Sequence, residues 1–484
     1  MEQIVPLLHE PCLDNVAENY PNPLPSEPSL PIPRQLEPSR WKWTQLNHLL
    51  RSLLGGLLPT YMHGGATTGE KDPHPTAYLD ALRGYAALIV FFYHSYPLPS
   101  LWVFQNVFFF RVLFRGGPGM VAIFFVISGY VLSYRMLVMI HNRDTAKLLD
   151  CLASSTFRRW LRLYGSTGVA TFVAMAITYL GWFGPHATER KDTLHEQLWD
   201  WFNDWLYSSD PFAHLQGWIH GGAFGSRYLY QMWTIPVEYR GSMVVLVFCA
   251  ASCKLSTRSR WIALWVVVLL AYYWRAVYVA EFLAGTFIAD LALLPRPERV
   301  GRLLPQAETS EKQPPSGGWP GHGLAGKLGC IVMCTVGLFL LSQPDDPDTN
   351  PAIPFPWPYL LRLVPSWYGE AMYTFWVSIG AVLLIFALDN YPALQVPFRW
   401  SFSQYLGDLS FGIYCMHIIV LEGLFKPILN PWREKTLGEG YLACFAIEAV
   451  GTICVLWMAD HFTRLDKLVV RFGRWLQRRT FQEW

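Results

Sequence analysis

The chain of 484 residues contains few charged side chains, and this limits the class of protein to which it can belong. Lys, Arg, Asp and Glu make up 15% of it, whereas about 25% is typical of soluble domains. Hydrophobic residues reach 52%, aromatic residues reach 16%, and the mean hydropathy is +0.21. These values favour a polytopic membrane protein over a set of soluble domains. The net charge of +2 gives no reason to expect a nucleic-acid partner.

The chain also lacks the short motifs of common nucleotide-dependent and metal-dependent enzymes. No Walker loop, Rossmann fingerprint, GxSxG or HExxH motif occurs in a suitable context. The nine cysteines form no CxxC pair and do not cluster with histidine, so neither a zinc site nor a disulfide framework is indicated. Most of them lie in apolar runs and are interpreted as small core side chains. No metal and no bound cofactor are expected.

The N-terminal part differs in composition from the rest of the chain. MEQIVPLLHEPCLDNVAENY has no basic start and no sustained apolar core, so no signal peptide is expected. Residues 1–40 are rich in Pro, Glu and Ser and are expected to be disordered. Residues 41–60 are either an amphipathic segment on a membrane surface or a short packed helix. Residues 1–77 are therefore assigned to an N-terminal cytosolic region.

Long apolar runs predict an all-α polytopic membrane protein with about ten transmembrane helices in one bundle, since one crossing needs about 20 largely apolar residues. The candidate spans are 80–97, 118–140, 160–183, 228–252, 261–274, 276–294, 326–342, 366–388, 403–424 and 441–459. The stretch 261–294 is too long for one ordinary crossing and short for two. Arg275 near its centre favours two short helices. One tilted helix would instead make the number of crossings odd and place the two termini on opposite sides of the membrane.

The distribution of Lys and Arg predicts that both termini face the cytosol. With ten spans, the basic segments 135–162 and 295–325 and the basic tail fall on one side of the membrane. The acidic segments 183–227 and 343–365 fall on the other side. Four tryptophans suggest that the first of these acidic segments is a partly buried lid: Trp199, Trp201, Trp205 and Trp218.

The predicted organisation is a membrane-embedded domain over residues 78–460, followed by a basic cytosolic tail over residues 461–484. The chain is expected to be an integral, multi-pass membrane protein. The endoplasmic reticulum and the plasma membrane are both compatible with this sequence.

Ionisable residues within apolar runs are the first functional candidates, because a charge at the membrane centre costs at least about 2.5–3.5 kcal/mol. The segment YLDALRGYAALIVFFYHSY carries Arg83 and, eleven residues later, His94. Eleven helical steps return to within about 20° of the start, so both side chains share one face about 16 Å apart. Asp80 can pair with Arg83. The equal alternative is that Asp80 and Arg83 anchor the helix at the interface and that His94 only ends it.

Two further segments have both a structural and a functional interpretation. The glycines of GGPGMVAIFFVISGYVL, residues 116–132, favour close helix packing over a ligand site. The segment FRRWLRLYG, residues 157–165, places Arg158 and Arg162 four residues apart on one helix face. Charge bias at a cytosolic boundary and binding of a phosphate-bearing ligand explain these arginines equally well.

Two more segments carry ionisable residues in apolar surroundings. In YLYQMWTIPVEYRG, Pro236 should break or kink the helix, and Glu238 follows inside the apolar run, which favours a functional carboxylate. In QYLGDLSFGIYCMHIIV, His417 lies in the middle of a span. Interhelical hydrogen bonds are the slightly favoured explanation for His417.

Taken in order, these segments resemble the acyltransferase 3 family of integral-membrane acyltransferases, and its fungal members in particular. LDALRGYAALIVFFYH is similar to the opening motif of that family, and GGPGMVAIFFVISGYVLS is similar to its second-helix signature. FRRWLRLY resembles the arginine-rich entry to the third helix, with Gly165 in place of a common proline. YQMWTIPVEY is similar to the Trp-Ser-Leu-x-x-Glu pattern, with Thr234 and Ile235 at the Ser and Leu positions. FLAGTFIAD and YLGDLSFGIYCMH resemble two later signatures, so the resemblance extends from about residue 78 to 460.

This resemblance implies an enzyme that transfers an acyl group, usually acetyl from acetyl-CoA, to a hydroxyl of a carbohydrate, lipid or small metabolite. It implies that His94 and Glu238 are catalytic. The substrate-binding candidates are Arg83, Arg158, Arg159, Arg162, Trp233 and His417. The expected partners are acyl-CoA as co-substrate, an unidentified hydroxyl acceptor and the lipid bilayer.

The mechanistic hypothesis assigns the general base to His94, because imidazole titrates near neutral pH. Glu238 would orient the ring or stabilise the imidazolium, and direct acylation of His94 is an alternative. Arg83 and the arginines of 158–162 would bind acyl-CoA from the cytosolic side, with the acceptor under the 183–227 segment. A membrane transporter without acyl-transfer chemistry is the alternative function, because a Pro-broken helix and scattered charges suit it as well.

Overall fold

A computed structural model describes residues 59, 61, 76–95, 102–182, 188–210, 225–294, 323–344 and 353–481. Within these ranges all regular structure is helical and no strand is present. The expectations for residues 1–58, for most of the 295–325 segment and for Trp218 fall outside the described residues.

The helices are numbered here in chain order. They are α1 (Ala77–His94), α2 (Trp102–Asn106), α3 (Phe108–Arg115), α4 (Gly117–His141), α5 (Thr145–Trp160), α6 (Ser166–Tyr179), α7 (Leu194–Ser208), α8 (Thr234–Ser252), α9 (Thr257–Tyr273), α10 (Val277–Ala292), α11 (Leu324–Leu340), α12 (Trp357–Arg362), α13 (Met372–Asn390), α14 (Ser401–Val420), α15 (Asn430–Thr436) and α16 (Tyr441–Thr480). Short 3₁₀ or π segments join several of them: Leu161–Gly165, Tyr230–Trp233, Ser366–Ala371, Pro392–Arg399 and Leu421–Leu429.

Five helical segments in the described part of the chain are long and apolar enough to cross a membrane. They are Gly117–His141, Tyr230–Ser252, Met372–Asn390, Ser401–Thr436 and Tyr441–Thr480. The helix α11 is apolar but shorter. These segments support the predicted multi-pass membrane protein, whereas the total of ten crossings stays a prediction.

The ambiguous stretch 261–294 forms two helices, as its length and Arg275 predicted. The helix α9 ends at Tyr273, and α10 begins at Val277. Arg275 lies between them with φ of 60°, in the left-handed region that ends a right-handed helix. The interpretation as one tilted helix is therefore wrong.

The helix α1 is locked against α14 by glycines. A Cβ atom on Gly84 would lie 2.3 Å from the carbonyl carbon of Leu406, and one on Gly407 would lie 2.8 Å from that of Asp80. Only glycine permits backbones to approach this closely. Because the contact leaves no room for rotation of α1 about its axis, it determines which side chains of α1 point into the bundle.

The same device joins α4 to α10, as the glycines of residues 116–132 predicted. A Cβ atom on Gly129 would lie 1.9 Å from the carbonyl oxygen of Phe282, and one on Gly285 would lie 2.0 Å from that of Val126. The buried hydrophobic core runs along this contact and includes Phe125. The packing interpretation of these glycines is confirmed.

Within the segment 183–227, expected to be a partly buried lid, the helix α7 packs along α6. The helix α7 runs antiparallel to α6, because Trp201 Nε1 donates to Thr171 Oγ1 over 3.0 Å and Trp205 Nε1 donates to the Tyr164 carbonyl over 2.9 Å. A capping box formed by Thr193 begins this helix. The helix α7 therefore flanks α6, and the lid stays a prediction, since residues 211–224 lie outside the described residues.

The last predicted boundary, at residue 460, does not coincide with a break in structure. The helix α16 continues without interruption to Thr480 and is about 60 Å long at 1.5 Å per residue. Beyond residue 460 it packs against the α5–α6 region: Ser166 Oγ donates to Asp466 over 2.5 Å, and Gln477 bonds Ser154. The basic tail therefore begins as part of the bundle.

Two smaller expectations also change. The predicted connection over 135–162 is largely helical, because α4 continues to His141 and α5 begins at Thr145. Seven cysteines are free in the described part of the chain, whereas Cys151 is disulfide-bonded. Cys151 is therefore an exception to the interpretation of the cysteines as simple core side chains.

Candidate active site

One face of α1 passes two neighbouring cavities. Arg83 lines the first cavity, His94 lines the second, and Val90 lines both. The helix is uninterrupted from Ala77 to His94, so positions 83, 90 and 94 recur on one face at helical spacing. The shared face predicted from the spacing of Arg83 and His94 is confirmed.

The first cavity, called the arginine cavity here, has a volume of about 160 Å³. Its charged lining residues are Arg83, Arg135, Arg159, Arg162, Glu238 and Asp466. Four guanidinium groups outnumber two carboxylates in a partly enclosed space, which is favourable for an anionic ligand. Arg135 and Asp466 were not among the site residues predicted from the sequence.

Glu238 and Arg159 form an ion pair in the arginine cavity. Arg159 Nη2 donates to Glu238 Oε1 over 2.5 Å, and 15% and 16% of their side-chain surfaces are exposed. Asp80 exerts an attractive charge on Arg83, as expected, but Arg83 Nε has no hydrogen-bond partner among the described residues. Arg83 therefore keeps at least one donor for a ligand.

Arg158 and Arg162, predicted on one helix face, do not both line the arginine cavity. A π turn over Leu161–Gly165 interrupts the α-helical hydrogen bonding between them, and a π turn changes the angular spacing of side chains. Arg159 and Arg162 consequently line the cavity, whereas Arg158 donates to Ser154 Oγ over 3.0 Å and is not a lining residue.

Pro236 does not break a helix. A 3₁₀ turn over Tyr230–Trp233 precedes α8, and Pro236 is the third residue of that helix, where proline is tolerated because the first N–H groups have no intrahelical partner. Across this change of helix type, Gln231 and Trp233 line the second cavity, described below, and Glu238 lines the first.

The second cavity, called the histidine cavity here, is larger, at about 500 Å³. Aromatic rings form much of its wall: Tyr93, Phe125, Tyr230, Trp233 and Tyr373. Its other polar lining residues are His94, Ser226, Gln231, Thr234, Glu281, Thr374 and Tyr414. Among the residues that the structure describes, its lining includes neither Arg nor Lys, in contrast to the arginine cavity.

A single hydrogen bond determines the tautomer of His94. Its Nδ1 lies 2.9 Å from the carbonyl oxygen of Val90, and a carbonyl only accepts, so Nδ1 carries the proton. The neutral ring then has its basic nitrogen at Nε2. His94 is half-buried and belongs to the histidine cavity wall.

His417 lies next to His94 but outside both cavity walls. The two ring centroids are 5.4 Å apart. His417 is fully buried, and its Nδ1 donates to the Tyr414 carbonyl over 2.8 Å. Its Nε2 has no partner among the described residues. The structure thus places His417 beside the predicted base, rather than where a substrate would touch it.

A hydrogen-bonded septum separates the two cavities. Thr234 Oγ1 and the Tyr414 hydroxyl are 2.6 Å apart, and the Tyr414 hydroxyl also donates to the backbone carbonyl of Gln231. Thr234 and Tyr414 line both cavities, as do Val90, Val121 and Phe125. The cavities are therefore neighbouring compartments with one common wall.

The structure does not bring Glu238 to His94. Glu238 is paired with Arg159 in the arginine cavity, and the carbonyl of Val90 holds the His94 ring instead. The predicted arrangement of a base with a carboxylate that orients it is thus not found. Glu281, an ionisable residue in an apolar run, is 4% exposed and lines the histidine cavity.

Within the described residues, no group of three or more His, Cys, Asp or Glu side chains could hold a metal ion.

Residues 76–459 match the family model described as "Acyltransferase domain" of the acyltransferase 3 family. The chain is 28% identical over 463 residues to "O-acetyltransferase PaAT-1" of Phomopsis amygdali, covering 88% of this chain and 89% of the relative. It is 24% identical over 437 residues to "Acyltransferase R4" of Phoma sp., covering 78% and 89%. It is 24% identical over 448 residues to "Acyltransferase clz18" of Cochliobolus lunatus, covering 79% and 90%. No solved structure matches the chain significantly.

Proposed function

The chain belongs to the acyltransferase 3 family, and from this premise we propose that it transfers an acetyl group from acetyl-CoA to a hydroxyl of an acceptor, with His94 as general base. Family membership makes the chain an acyltransferase that acts on groups other than aminoacyl groups. The alternative of a transporter without acyl-transfer chemistry is not retained.

The observation that carries this proposal is the single face of α1 with Arg83 in one cavity and His94 in the next. A donor such as acetyl-CoA has anionic phosphates at one end and a neutral thioester at the end of a long, flexible arm. The positive cavity suits the phosphates, and the adjoining wall, which is largely aromatic and has neither Arg nor Lys among its described residues, suits the thioester. A distance of about 16 Å along α1 separates the two positions.

The arginine cavity is the proposed site for the donor phosphates. Guanidinium groups bind phosphate oxygens through short, charge-assisted and often bidentate hydrogen bonds. Arg83, Arg159 and Arg162 come from two elements, α1 and the α5–α6 region, so one phosphate group can bridge them. Glu238 would then act by holding the Arg159 guanidinium in position, not by orienting the base.

The reaction proposed for the histidine cavity is direct transfer. The acceptor hydroxyl oxygen attacks the thioester carbonyl carbon, forming a C–O bond, while its proton passes to His94 Nε2 and the carbonyl electron pair moves to oxygen. The tetrahedral intermediate collapses, the C–S bond breaks, and His94 returns the proton to the departing CoA sulfur. The Nδ1–H bond to Val90 leaves Nε2 as the nitrogen that takes and gives the proton.

The relative from Phomopsis amygdali is named as an O-acetyltransferase, which supports acetyl as the transferred group and oxygen as the acceptor atom. The acceptor belongs to the carbohydrates, lipids or small metabolites. The aromatic lining of the histidine cavity is compatible with ring-shaped molecules of any of these classes.

The test measures transfer of label from radiolabelled acetyl-CoA in membranes that contain the full-length chain. An extract of the cells in which the chain occurs naturally supplies the acceptor. We expect labelled product with the wild-type chain and a loss of about 100- to 10,000-fold with His94→Ala, the range typical of general-base catalysis. His195→Ala is the matched control, since His195 is exposed on α7 and lines neither cavity.

Two measurements keep this test decisive. Gel filtration in detergent shows whether each variant is folded. A folded His94→Ala chain that transfers acetyl at the wild-type rate would overturn the role of His94. A wild-type chain that transfers no acetyl group would overturn the assignment of acetyl-CoA as the donor. A labelled, stable His94 adduct would replace direct transfer by acylation of the histidine.

A further inference from the structure

Gln231 is a buried polar side chain with no partner in the described part of the chain. The residue is 3% exposed, and neither its Oε1 nor its Nε2 has a hydrogen-bond partner. Buried polar groups in proteins are nearly always bonded, so an exception requires an explanation. A ligand that supplies the missing bonds is one such explanation.

The position of Gln231 indicates which ligand that is. Gln231 lines the histidine cavity, and its backbone carbonyl accepts from the Tyr414 hydroxyl of the septum. Gln231 thus belongs to the same cavity wall as His94, next to the septum that separates this cavity from the arginine cavity.

The backbone around Gln231 is held from both sides. The N–H of Met232 donates to the Leu229 carbonyl over 3.1 Å within the 3₁₀ turn. On the N-terminal side, Ser226 donates to Asp204 of α7 over 2.5 Å. The backbone that carries Gln231 is thus held in place, and a fixed position is required of groups that stabilise a developing charge.

From this arrangement we propose that Gln231 is a catalytic residue that donates from Nε2–H to the thioester carbonyl oxygen and stabilises the oxyanion of the tetrahedral intermediate. The inference rests on the function proposed above. When the acceptor oxygen bonds to the carbonyl carbon, the carbonyl electron pair moves onto this oxygen and the amide hydrogen bond strengthens. When the C–S bond breaks, the pair returns to re-form the carbonyl of the ester.

A neutral amide suits this place better than a charged donor would. An unpaired charge buried inside a helical bundle is far more costly than an amide, since it must be neutralised or paired. An amide also offers two N–H donors, and side-chain amides are established donors to oxyanions in other acyl-transfer enzymes.

The test compares Gln231→Leu with Gln343→Leu. Gln343 is an equally buried glutamine (2% exposed), but its amide donates to the Met372 carbonyl over 2.8 Å and accepts from Trp376 N–H over 3.0 Å. Gln343 lines neither cavity. The pair separates the effect of losing a satisfied amide from that of losing an unsatisfied one.

For Gln231→Leu we expect kcat to fall by about 100- to 1,000-fold, the usual effect of losing one oxyanion donor, with the KM for acetyl-CoA unchanged. We also expect its melting temperature to stay the same or rise, because removing an unsatisfied buried polar group relieves the folded state. Gln343→Leu should show the opposite pattern, with a lower melting temperature and an unchanged kcat.

Gln231→Met supplies the second test, since methionine is close to glutamine in size and offers neither an N–H nor an O–H donor; it should lose kcat as Gln231→Leu does. Wild-type kcat in either Gln231 variant would overturn the inference, as would a loss that appears only in KM. If both Gln231 variants lose activity and also have a lower melting temperature than the wild type, Gln231 has a structural role only. If the wild-type chain transfers no acetyl group, the proposed function fails and this inference with it. If the wild type transfers acetyl and the Gln231 variants keep its kcat, the inference fails while the proposed function stands.

Discussion

The arginine cavity and the histidine cavity adjoin one another along α1, yet they are built from different groups. In the arginine cavity, charged groups bind one another or nearby side chains, as Glu238 does with Arg159 and Asp466 with Ser166. The histidine cavity is lined by aromatic and uncharged polar side chains together with His94 and Glu281, and it includes Gln231, whose amide has no hydrogen-bond partner among the described residues. This difference suggests that one compartment holds the charge of the donor while the other carries out the reaction.

The largest effect expected from this comparison is on turnover. In His94→Gln, kcat should fall by about 100- to 10,000-fold because the ring that takes the proton is gone. The KM for acetyl-CoA should not change, because the donor phosphates bind in the other cavity. Steady-state kinetics with acetyl-CoA as the varied substrate checks both values. A rise in the KM for acetyl-CoA without a fall in kcat would instead indicate that His94 binds the donor.

The second prediction concerns the arginine cavity. In Arg83→Gln the KM for acetyl-CoA should rise by about 10- to 100-fold with little change in kcat, since one charge-assisted hydrogen bond contributes about 1.5–3 kcal/mol. Arg83→Lys, which keeps the charge, should lose less. The same measurement at higher salt should narrow the gap between wild type and Arg83→Gln. An unchanged KM in Arg83→Gln would separate Arg83 from donor binding.

A smaller effect is expected for the carboxyl of the histidine cavity. Glu281→Gln should raise the KM for the acceptor by about 3- to 10-fold, the contribution of one ordinary hydrogen bond, and leave the KM for acetyl-CoA unchanged. Rates at increasing amounts of acceptor extract measure this. Glu448→Gln is the control, because Glu448 is also 4% exposed but lines neither cavity. Equal effects of both substitutions would show a structural role.

The smallest effect is expected for Arg158. Arg158→Ala should change the KM for acetyl-CoA by less than about twofold, since Arg158 donates to Ser154 and is not a lining residue. Arg162→Ala, four residues away, should raise the same KM well beyond that. If the two variants weaken donor binding equally, the side-chain directions around the π turn are wrong.

Helical periodicity alone was sufficient to predict the face of α1. Arg83 and His94 stand on one continuous helix, so their spacing translates directly into a shared face. The same reasoning misplaced Arg158, because a π turn intervenes and is a matter of backbone hydrogen bonding rather than residue type. It also misjudged Pro236, which lies in the first turn of α8 and not within a longer helix.

Gln231 could not be predicted from the sequence. A glutamine near the start of a span carries no charge and breaks no hydrophobic pattern. Its significance depends on burial without a partner and on Tyr414, 183 residues away in the chain, which bonds its backbone carbonyl. Arg135 was identified in the sequence only as one of many positive charges predicted to lie on the cytosolic side. The folded structure distinguishes it from the others by placing it in the wall of the arginine cavity.

The sequence by itself determined the membrane-protein class, the family and the common face of Arg83 and His94, because hydropathy, motif order and helical period are local properties of the chain. Only the tertiary structure decided that Glu238 pairs with Arg159 instead of His94, that α7 flanks the bundle, and that two cavities meet at the Thr234–Tyr414 septum. The reason is physical: these arrangements depend on how closely helices approach at residues such as Gly84 and Gly129, and therefore on which side chains the approaching helices turn inward.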